Sequence, residues 1–366
     1  MKKFQRAILV ALDDSTETDL DGILDELELI LSNLGISVFE RVIQKRDGPD
    51  PAFLLGKGKA EELGSICASC NADLVVTRER LNATQVANLQ KLTGREIWDK
   101  AFVIMKIFEA RARTSEAKLQ LELARCNYEI PFLKGLGKQM SRLGGGIGTR
   151  GPGETEFERH RRKLERKVRS IKKRLKVVEK RRDGQRKRRE KTGMTVVSLT
   201  GYTNSGKSTL LRRLSSDSTL EADDRLFCTL DTFTRKVRIA SNRDILLSDT
   251  VGFIQGLPPD LVAAFRTTLE EITWSDALLL VIDASSPSAL DHFNIVQETL
   301  HGINASMLPR VVVLNKIDVA DSVFLDSCVE RLEGMGEKVV PVSATEGTGI
   351  DRLKESIADL LFYMNK

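Results

Sequence analysis

Residues 201–208 read GYTNSGKS, which has the spacing G-x-x-x-x-G-K-S. The run follows the apolar residues 196–199 and leads into the helix-like run 209–214. Its glycines allow successive backbone N–H groups to point at phosphates, and the N-terminus of the following helix adds partial positive charge. Lys207 is placed to reach β- and γ-phosphates, and the Ser208 hydroxyl is placed to hold Mg²⁺. The spacing therefore predicts a loop that binds nucleotide phosphates.

A second run, residues 244–252, reads DILLSDTVG and ends in D-x-x-G. Its apolar part predicts a buried strand, so that Asp249 and Gly252 follow the end of that strand. Asp249 can then contribute to the Mg²⁺ shell, and the Gly252 amide can contact a γ-phosphate. The pattern adds a metal ligand and a phosphate donor to the first run.

Two further strand ends predict recognition of the base. The apolar residues 311–314 lead into Asn315-Lys316-Ile317-Asp318, and residues 339–342 lead into Ser343-Ala344-Thr345. The Asp318 carboxylate can accept from N1–H and the exocyclic amine of guanine, which adenine does not offer. The backbone of residues 343–345 can contact the guanine carbonyl. Four such elements in this order are typical of a Ras-like G domain, so we predict GTP as the substrate and Mg²⁺ as the metal.

The elements that position these loops can be inferred from the hydrophobic pattern. Strand-like runs occur at 195–200, 236–240, 244–248, 277–283, 310–314 and 338–342, and the last helix is expected at about 349–364. This alternation predicts a doubly wound α/β domain over residues 194–366, with its ligand loops at the carboxyl ends of the strands.

Length and composition restrict the remaining possibilities. The chain has 366 residues, of which 41% are hydrophobic, which suggests two or three domains. The apolar run 7–12 is too short for a signal peptide, and no stretch approaches the roughly eighteen apolar residues of a membrane span. Five scattered cysteines indicate a reduced, cytoplasmic protein. Cys67 and Cys70 form an isolated C-x-x-C, for which we favour packing over a metal site.

Positive charge is concentrated in residues 159–191, which contain 19 Lys or Arg and four acids. The local charge is thus +15, whereas the whole chain carries only +5. Such a one-sided excess favours a nucleic-acid surface over a merely solvated face. Within and just before this stretch, apolar residues recur at coiled-coil spacing: Phe157, Leu164, Val168, Ile171, Leu175 and Val178.

A matching apolar pattern on residues 116–130 consists of Leu119, Leu123, Cys126 and Ile130. The two patterns predict an antiparallel helical hairpin, a coiled-coil arm within residues 109–191. Between the helices, residues 131–153 contain eight glycines and no acid, so we expect a flexible loop. We predict that this tip and the start of the second helix bind RNA through phosphates and shape. The candidate contacts are Lys134, Lys138, Arg142, Arg150, Arg159, Arg161, Arg162 and Lys163.

Residues 1–108 form a separate small α/β domain by pattern, with strand-like runs 7–12, 37–43 and 74–76 and helix-like runs 20–34 and 60–68. Residues 56–59, GKGK, resemble a phosphate loop superficially but lack its full spacing. A helix start with surface lysines is favoured over a second nucleotide site, although the second site stays open.

Four segments outside the G-domain motifs resemble HflX-type GTPases, of the Obg-HflX-like group of translation-factor-related P-loop GTPases, over nearly the whole chain. They are residues 56–63 (GKGKAEEL), 107–114 (IFEARART), 144–154 (GGGIGTRGPGE) and 227–231 (FCTLD). The resemblance implies a cytosolic GTPase that binds the large ribosomal subunit and helps to split or rescue stalled ribosomes. It also implies that Thr229 completes the Mg²⁺ shell. Residues 231–235 read DTFTR where the family usually has D-P-T-T-R.

The pattern and the resemblance together give a full set of candidate residues. The catalytic candidates are Lys207, Thr229 and Gly252, and the Mg²⁺ ligands are Ser208, Thr229 and Asp249. The predicted GTP contacts are Gly201, Tyr202, Thr203, Asn204, Ser205, Gly206, Lys207, Ser208, Thr209, Phe227, Cys228, Thr229, Leu230, Asp231, Asp249, Thr250, Val251, Gly252, Asn315, Lys316, Ile317, Asp318, Ser343, Ala344 and Thr345.

Position 253 bears on the rate of hydrolysis. Ras-like proteins carry there the glutamine that orients the attacking water, whereas this chain has Phe253. We therefore expect slow basal turnover that a partner, the ribosome, stimulates. Asn204 occupies the place used by potassium-activated G proteins, which leaves K⁺ open as a second cation. His160, His292 and His301 lie in no motif, so we predict no general base.

Two functions follow. The first is a monomeric, cytoplasmic GTPase that binds the large ribosomal subunit and its RNA through the basic arm and the N-terminal domain. The second is a signalling or scaffold G protein whose arm binds a protein or an anionic membrane. The glycine-rich tip without aromatic anchors and the missing lipidation motif favour the first, although partial membrane association stays open.

Overall fold

The computed structural model describes residues 4–14, 19–112, 114–143, 152–192, 194–215, 233–240, 243–250, 252–253 and 272–363. These residues belong to two compact units. The first contains the described residues up to Ala110 together with Lys118–Lys176, and the second contains Arg111–Ala117 and the described residues from Val177 onward. The division into residues 1–108, 109–191 and 194–366 stays a prediction.

The first unit contains a parallel sheet of four strands, in the order β2-β1-β3-β4. The strands are β1 (Arg6–Asp13), β2 (Ser37–Lys45), β3 (Leu74–Thr77) and β4 (Glu96–Asp99), and the helices are α1 (Leu20–Ser32), α2 (Lys57–Ser69), α3 (Ala83–Thr93) and α4 (Lys100–Arg111). Residues 7–12 and the whole of β3 are buried, as expected for a parallel sheet covered on both faces. This confirms the predicted small α/β domain.

Parts of two long helices, α5 (Ser115–Leu143) and α6 (Pro152–Thr192), complete the first unit, which contains them from Lys118 to Lys176. Leu119, Leu123 and Cys126 of α5 pack against Leu164 and Ile171 of α6 in one hydrophobic cluster. An ion pair of 2.6 Å between Lys167 and Glu122 lies beside the cluster. The predicted helical hairpin is therefore confirmed. Its predicted seam is confirmed except at Phe157 and Val178, which are not part of this cluster.

The prediction that residues 131–153 form a loop is wrong for residues 131–143, which belong to α5, and for Pro152 and Gly153, which begin α6. The helix α5 continues through Pro131 to Leu143, although proline removes a backbone donor and glycines weaken a helix. Ile130 and Leu133 on either side of Pro131 pack against the apolar seam. Their burial compensates for the lost hydrogen bond, so the local helix breakers do not end the helix.

The hairpin is attached to the sheet of its own unit by aromatic contacts. Trp98 contacts Phe102, Phe102 contacts Tyr128 of α5, and Tyr128 contacts Phe132. The Tyr128 hydroxyl donates to the buried Asp99 carboxylate at 3.0 Å. Burial raises the pKa of Asp99 above the usual carboxyl range, although the Phe102 N–H and the Tyr128 hydroxyl donate to it.

The second unit contains a sheet of six strands, in the order β10-β9-β8-β5-β7-β6. They are β5 (Val196–Gly201), β6 (Phe233–Ala240), β7 (Arg243–Asp249), β8 (Ala277–Asp283), β9 (Arg310–Asn315) and β10 (Val339–Pro341). All neighbours are parallel except β6 and β7. The described helices of the unit, besides the end of α6, are α7 (Lys207–Ser215), α8 (Ala289–Gly302), α9 (Ser322–Gly334) and α10 (Ile350–Tyr363). The predicted doubly wound architecture is confirmed.

The strands of this sheet place their functional loops at one edge. The central strands β5, β8 and β9 are almost completely buried, which explains their continuous apolar runs. Since these strands and β7 and β10 are parallel, the segments that follow them converge at the carboxyl edge of the sheet. Within the described part of the chain, no helix is long and apolar enough to span a bilayer.

Candidate active site

The loop after β5 has a backbone shape that only glycine permits at two positions. Gly201 has φ +152° and Gly206 has φ +88°. A Cβ at Gly201 would collide with the Val281 carbonyl, and one at Gly206 would collide with the Asn315 side-chain amide. The two glycines of the sequence pattern are therefore required both by conformation and by close packing.

Lys207 lies inside the curve of this loop. Its side chain is buried, and Nζ donates to the Tyr202 carbonyl at 2.6 Å and to the Gly201 carbonyl at 3.2 Å. A buried ammonium requires such partners. A Cβ added at Gly252 would lie 3.0 Å from Lys207 Nζ. The D-x-x-G segment thus approaches the cation that is expected to contact phosphate.

The candidate metal ligands also meet. The Ser208 hydroxyl donates to Asp249 Oδ2 at 2.6 Å, and Asp249 is 1% exposed at the end of β7. The neighbouring Thr250 hydroxyl donates to the Leu199 carbonyl at 2.7 Å, which fixes the start of the D-x-x-G segment. A hydroxyl and a carboxylate are hard oxygen donors, so this pair fits Mg²⁺ bound together with nucleotide phosphates.

The loop after β9 is tied to the phosphate loop through Asn315. Its Nδ2 donates to the Ser205 carbonyl at 2.8 Å, and its Oδ1 accepts from the Ala344 N–H at 3.0 Å. One buried side chain therefore links the loops that follow β5, β9 and β10. Asn315 acts as a brace for the site, in addition to any contact with the base.

The remaining base-loop residues are oriented by polar contacts. Lys316 has φ +66° and forms an ion pair of 2.7 Å with Asp283 at the end of β8. Asp318 is exposed, and its Oδ2 accepts from the Thr345 hydroxyl at 3.4 Å. A carboxylate at the solvent-facing mouth of the site is accessible to a base that supplies N–H donors.

The loop after β10 is supported from within and from α7. Ser343 Oγ accepts from the Glu346 N–H at 3.1 Å. The Glu346 carbonyl accepts from Arg213 of α7 at 2.6 Å. The helix that begins at Lys207 is thereby connected to the loop that is expected to contact guanine.

Phe253 does not project into the site. Its ring is 1% exposed, and its backbone pairs with the phosphate loop. The Thr203 N–H donates to the Phe253 carbonyl at 2.7 Å, and the Phe253 N–H donates to the Gly201 carbonyl at 3.0 Å. A buried phenyl ring cannot position a water molecule by hydrogen bonding, as the sequence predicts.

The structure brings most of the predicted nucleotide residues to the carboxyl edge of the second sheet; their contacts with nucleotide stay a prediction. The residues placed there are Gly201, Tyr202, Thr203, Asn204, Ser205, Gly206, Lys207, Ser208, Thr209, Asp249, Thr250, Gly252, Asn315, Lys316, Ile317, Asp318, Ser343, Ala344 and Thr345. Those outside the described residues are Phe227, Cys228, Thr229, Leu230, Asp231 and Val251.

The predicted RNA contacts lie on the hairpin. Arg159, Arg161, Arg162 and Lys163 belong to α6, and Lys134, Lys138 and Arg142 belong to α5; Arg150 lies outside the described residues. Arg161 and Arg162 form ion pairs with Glu158 at 2.6 and 3.1 Å. Sequence spacing did not reveal this partial neutralisation.

Three residues of the site were missed by sequence reasoning: Asp283, Arg213 and His292. Asp283 could have been found, because it is an acid at the end of a predicted strand. Arg213 and His292 act through contacts between elements distant in sequence, for which no local pattern exists. The ring of His292 stacks on that of Tyr202.

Neither residues 56–59 nor the pair Cys67 and Cys70 of the first unit forms a site comparable to the phosphate loop. Lys57 and Lys59 pair with Glu61 and Glu62 of their own helix at 4.0 and 2.8 Å. Cys67 and Cys70 are buried, and burial raises the pKa of the Cys67 thiol to about 11. Among the described residues, no cluster of His, Cys, Asp or Glu could hold a metal ion.

Comparisons with known proteins agree with this arrangement. Family models match residues 22–109 ("GTP-binding GTPase N-terminal"), 111–189 ("GTP-binding GTPase Middle Region") and 196–316 ("50S ribosome-binding GTPase"). The chain is 43% identical over 359 residues to a "GTPase HflX" of Caldanaerobacter subterraneus subsp. tengcongensis, covering 98% of this chain and 81% of the relative. The "GTPase HflX" of Escherichia coli (strain K12) is 37% identical, with coverages of 98% and 83%. The chain belongs to the HflX GTPase family.

Solved structures resemble this HflX GTPase over its whole length. A "crystal structure of SsGBP and GDP complex" has a TM-score of 0.55 at 26% identity, covering 99% of this chain and 100% of the other. A GTP-binding protein from Sulfolobus solfataricus in complex with GDP has a TM-score of 0.50 at 26% identity, covering 98% and 99%. As an HflX GTPase, the chain hydrolyses GTP.

Proposed function

We propose that this HflX GTPase binds the large ribosomal subunit through its basic arm and N-terminal domain. GTP binding and hydrolysis would be coupled to splitting or rescue of stalled ribosomes. The family model that matches the G domain is described as a "50S ribosome-binding GTPase", which supports this partner.

The observation that carries the proposal is the exposure of the basic side chains of α6. The helix has 41 residues and packs on α5 through a narrow apolar seam. Arg169, Lys172, Lys173, Arg174 and Lys176 are all exposed between Val168 and Val178. A cationic face of this kind replaces the counterions of phosphates when it binds RNA.

The active site supports a division of labour between arm and G domain. The Ser208 hydroxyl and the Asp249 carboxylate are in direct contact, and Lys207 contacts the carbonyls of the phosphate loop. Bound Mg²⁺ would neutralise charge on the β- and γ-phosphates. The chain itself orients the phosphates through the loop N–H groups and Lys207. Since Phe253 is buried, orientation of the attacking water is left to the ribosome or to another residue.

We also propose that K⁺ serves as a second cation beside the phosphates. Asn204 is exposed at the mouth of the phosphate loop and has φ +60°. Its side-chain oxygen can therefore reach a cation without disturbing the buried part of the loop. Replacing K⁺ by Na⁺ is expected to lower turnover in the native chain and not in Asn204→Ala.

The proposed function is tested by sedimentation with purified large subunits. The chain should sediment with them in the presence of a non-hydrolysable GTP analogue and much less with GDP. The rival, a signalling or scaffold G protein, predicts equal weak sedimentation in both states and strong binding to vesicles of anionic phospholipid. Binding to vesicles without nucleotide-dependent binding to large subunits would reject the proposal.

A further inference from the structure

Tyr202, the second residue of the phosphate loop, stacks on His292 of α8. The ring centroids are 3.9 Å apart and the ring planes differ by 14°. Tyr202 is 6% exposed, so its ring is packed inside the unit, whereas His292 is half-buried in the first turn and a half of α8. The separation is that of two rings in direct contact, which attract each other beyond their area burial.

The backbone of Tyr202 lies where three parts of the site meet. Its carbonyl accepts from Lys207 Nζ at 2.6 Å. The groups on either side of it, the Gly201 carbonyl and the Thr203 N–H, both bond to Phe253 just after the D-x-x-G segment. A shift of Tyr202 would therefore move both the cation and the pairing with that segment.

Other groups also hold this loop: Asn315 donates to the Ser205 carbonyl, and Thr203 and Ser205 are buried. Gly201 and Gly206 contribute no side chain, and Asn204 is exposed in a left-handed conformation. By contrast, α8 is firmly packed, because Phe293, Val296 and Leu300 are buried. The His292 ring thus lies on a well-packed helix and supports the Tyr202 ring directly.

We infer that His292 is a positioning residue for nucleotide binding: its imidazole holds the Tyr202 ring, and through the Tyr202 carbonyl it fixes the Lys207 ammonium. The effect reaches the phosphates only through Tyr202 and Lys207, so His292 itself contacts no nucleotide. This inference rests on GTP binding by the phosphate loop. It is independent of the ribosome, and its test uses the isolated chain.

The test measures the rate at which the full chain releases a fluorescent GDP analogue. His292→Ala should release it roughly two- to tenfold faster, which corresponds to the contribution of one aromatic pair. His292→Phe keeps a stacked ring and should release it at nearly the native rate, whereas His292→Leu should resemble His292→Ala. His301→Ala removes an exposed imidazole from the last turn of the same helix and serves as the matched control.

A role confined to folding would lower the melting temperature without changing release. Native release rates in a folded His292→Ala or His292→Leu variant would overturn the inference. Equal acceleration of release in His292→Phe and His292→Leu would also overturn it. If the alanine variant does not fold, the comparison of phenylalanine with leucine decides, because both fill the space and only one has a ring.

A double-mutant cycle adds an independent criterion. In a Tyr202→Leu background the stack is already lost, so His292→Ala should cause no further acceleration. If it accelerates release there as much as in the native chain, the effect does not pass through Tyr202 and the inference is wrong.

Discussion

Phe253 and Tyr202 pair as a parallel β-bridge, which joins the segment after β7 to the phosphate loop. The residue where Ras-like proteins place a water-orienting glutamine is thus a structural part of the loop in this chain. Its ring contributes to stability, and its backbone helps to hold Thr203 and Gly201.

Replacing Phe253 by Gln should not accelerate basal hydrolysis. The buried ring would be exchanged for an amide without partners, and loss of a buried Phe side chain typically costs about 3–5 kcal/mol. We expect unchanged or slower turnover and a lower melting temperature. The apolar control Phe253→Leu should lower the melting temperature by less. Faster turnover of Phe253→Gln with native stability would contradict this account, because it would show that the buried ring is not needed for stability.

Asp318→Asn should change the preferred nucleotide from guanine to xanthine. A carboxylate has two accepting oxygens for the N1–H and the 2-amine of guanine, whereas an amide has only one and turns its NH2 donor toward the 2-amine. The same NH2 can donate to the 2-oxo group of xanthine. Competition between GTP and XTP checks this result. Asp321→Asn is the matched control, because Asp321 caps α9 by accepting from the Phe324 N–H and Asn caps equally well. Unaltered GTP affinity in Asp318→Asn, with no gain for XTP, would contradict the base assignment.

Two exposed lysines of α6 have no ion partner among the described residues. They should contribute more to RNA affinity than arginines that are paired with acids. Lys172 and Lys173 are exposed, whereas Arg161 and Arg162 share Glu158. Lys172→Gln with Lys173→Gln should reduce the slope of log affinity against log salt by about 1.4–1.8, at 0.7–0.9 per phosphate contact.

The matched variant, Arg161→Gln with Arg162→Gln, removes the same charge and should reduce that slope by less. Binding to large subunits is measured at several KCl concentrations, and GTP affinity should be unchanged in both variants. Equal slopes in the native chain and the lysine variant would exclude Lys172 and Lys173 from phosphate contact.

The stability of the first unit should depend on pH through Asp99. Burial raises the pKa of Asp99, so the folded chain binds more protons than the unfolded chain in the window above about pH 3.9. Protonation of Asp99 therefore contributes its full stabilisation of the folded state below that pH. This stabilisation is lost as the pH rises through the pKa of Asp99 in the folded chain. Asp99→Asn cannot titrate, so the native-minus-variant difference in unfolding free energy should fall as pH increases.

Urea unfolding at about pH 5 and pH 8, followed by Trp98 fluorescence with Trp274 replaced by Phe, measures this difference. Tyr128→Phe removes a donor that lowers the pKa of Asp99. In that variant Asp99 should stay protonated, and its stabilisation should persist, up to a higher pH. A native-minus-variant difference that grows with pH would contradict the assignment to Asp99.

The sequence was sufficient to predict the elements that are marked by a local pattern of residues. The strands of the G domain could be predicted because their apolar runs are buried on both faces, and the phosphate loop because Gly201 and Gly206 are required by φ. In the first unit, α3, β4 and α4 were missed, although the capping box of Asn82 and Gln85 marks the start of α3.

Other features depend on tertiary contacts and could not be inferred. The helix α5 passes through Pro131 because Ile130 and Leu133 are held by the seam with α6. The brace by Asn315, the link from Arg213 to Glu346 and the stack of Tyr202 on His292 join elements far apart in sequence. Spacing within a motif contains no information about such partners.

The most direct test of the central claim is the rate of GTP hydrolysis with and without purified large ribosomal subunits, with small subunits as the control. Buried Phe253 leaves water orientation to a partner, so we expect slow turnover by the isolated chain and a strong rise with large subunits alone. The Lys172→Gln, Lys173→Gln variant should require more subunits for the same rise. Rapid hydrolysis by the isolated chain, or a rate indifferent to large subunits, would contradict the proposed function.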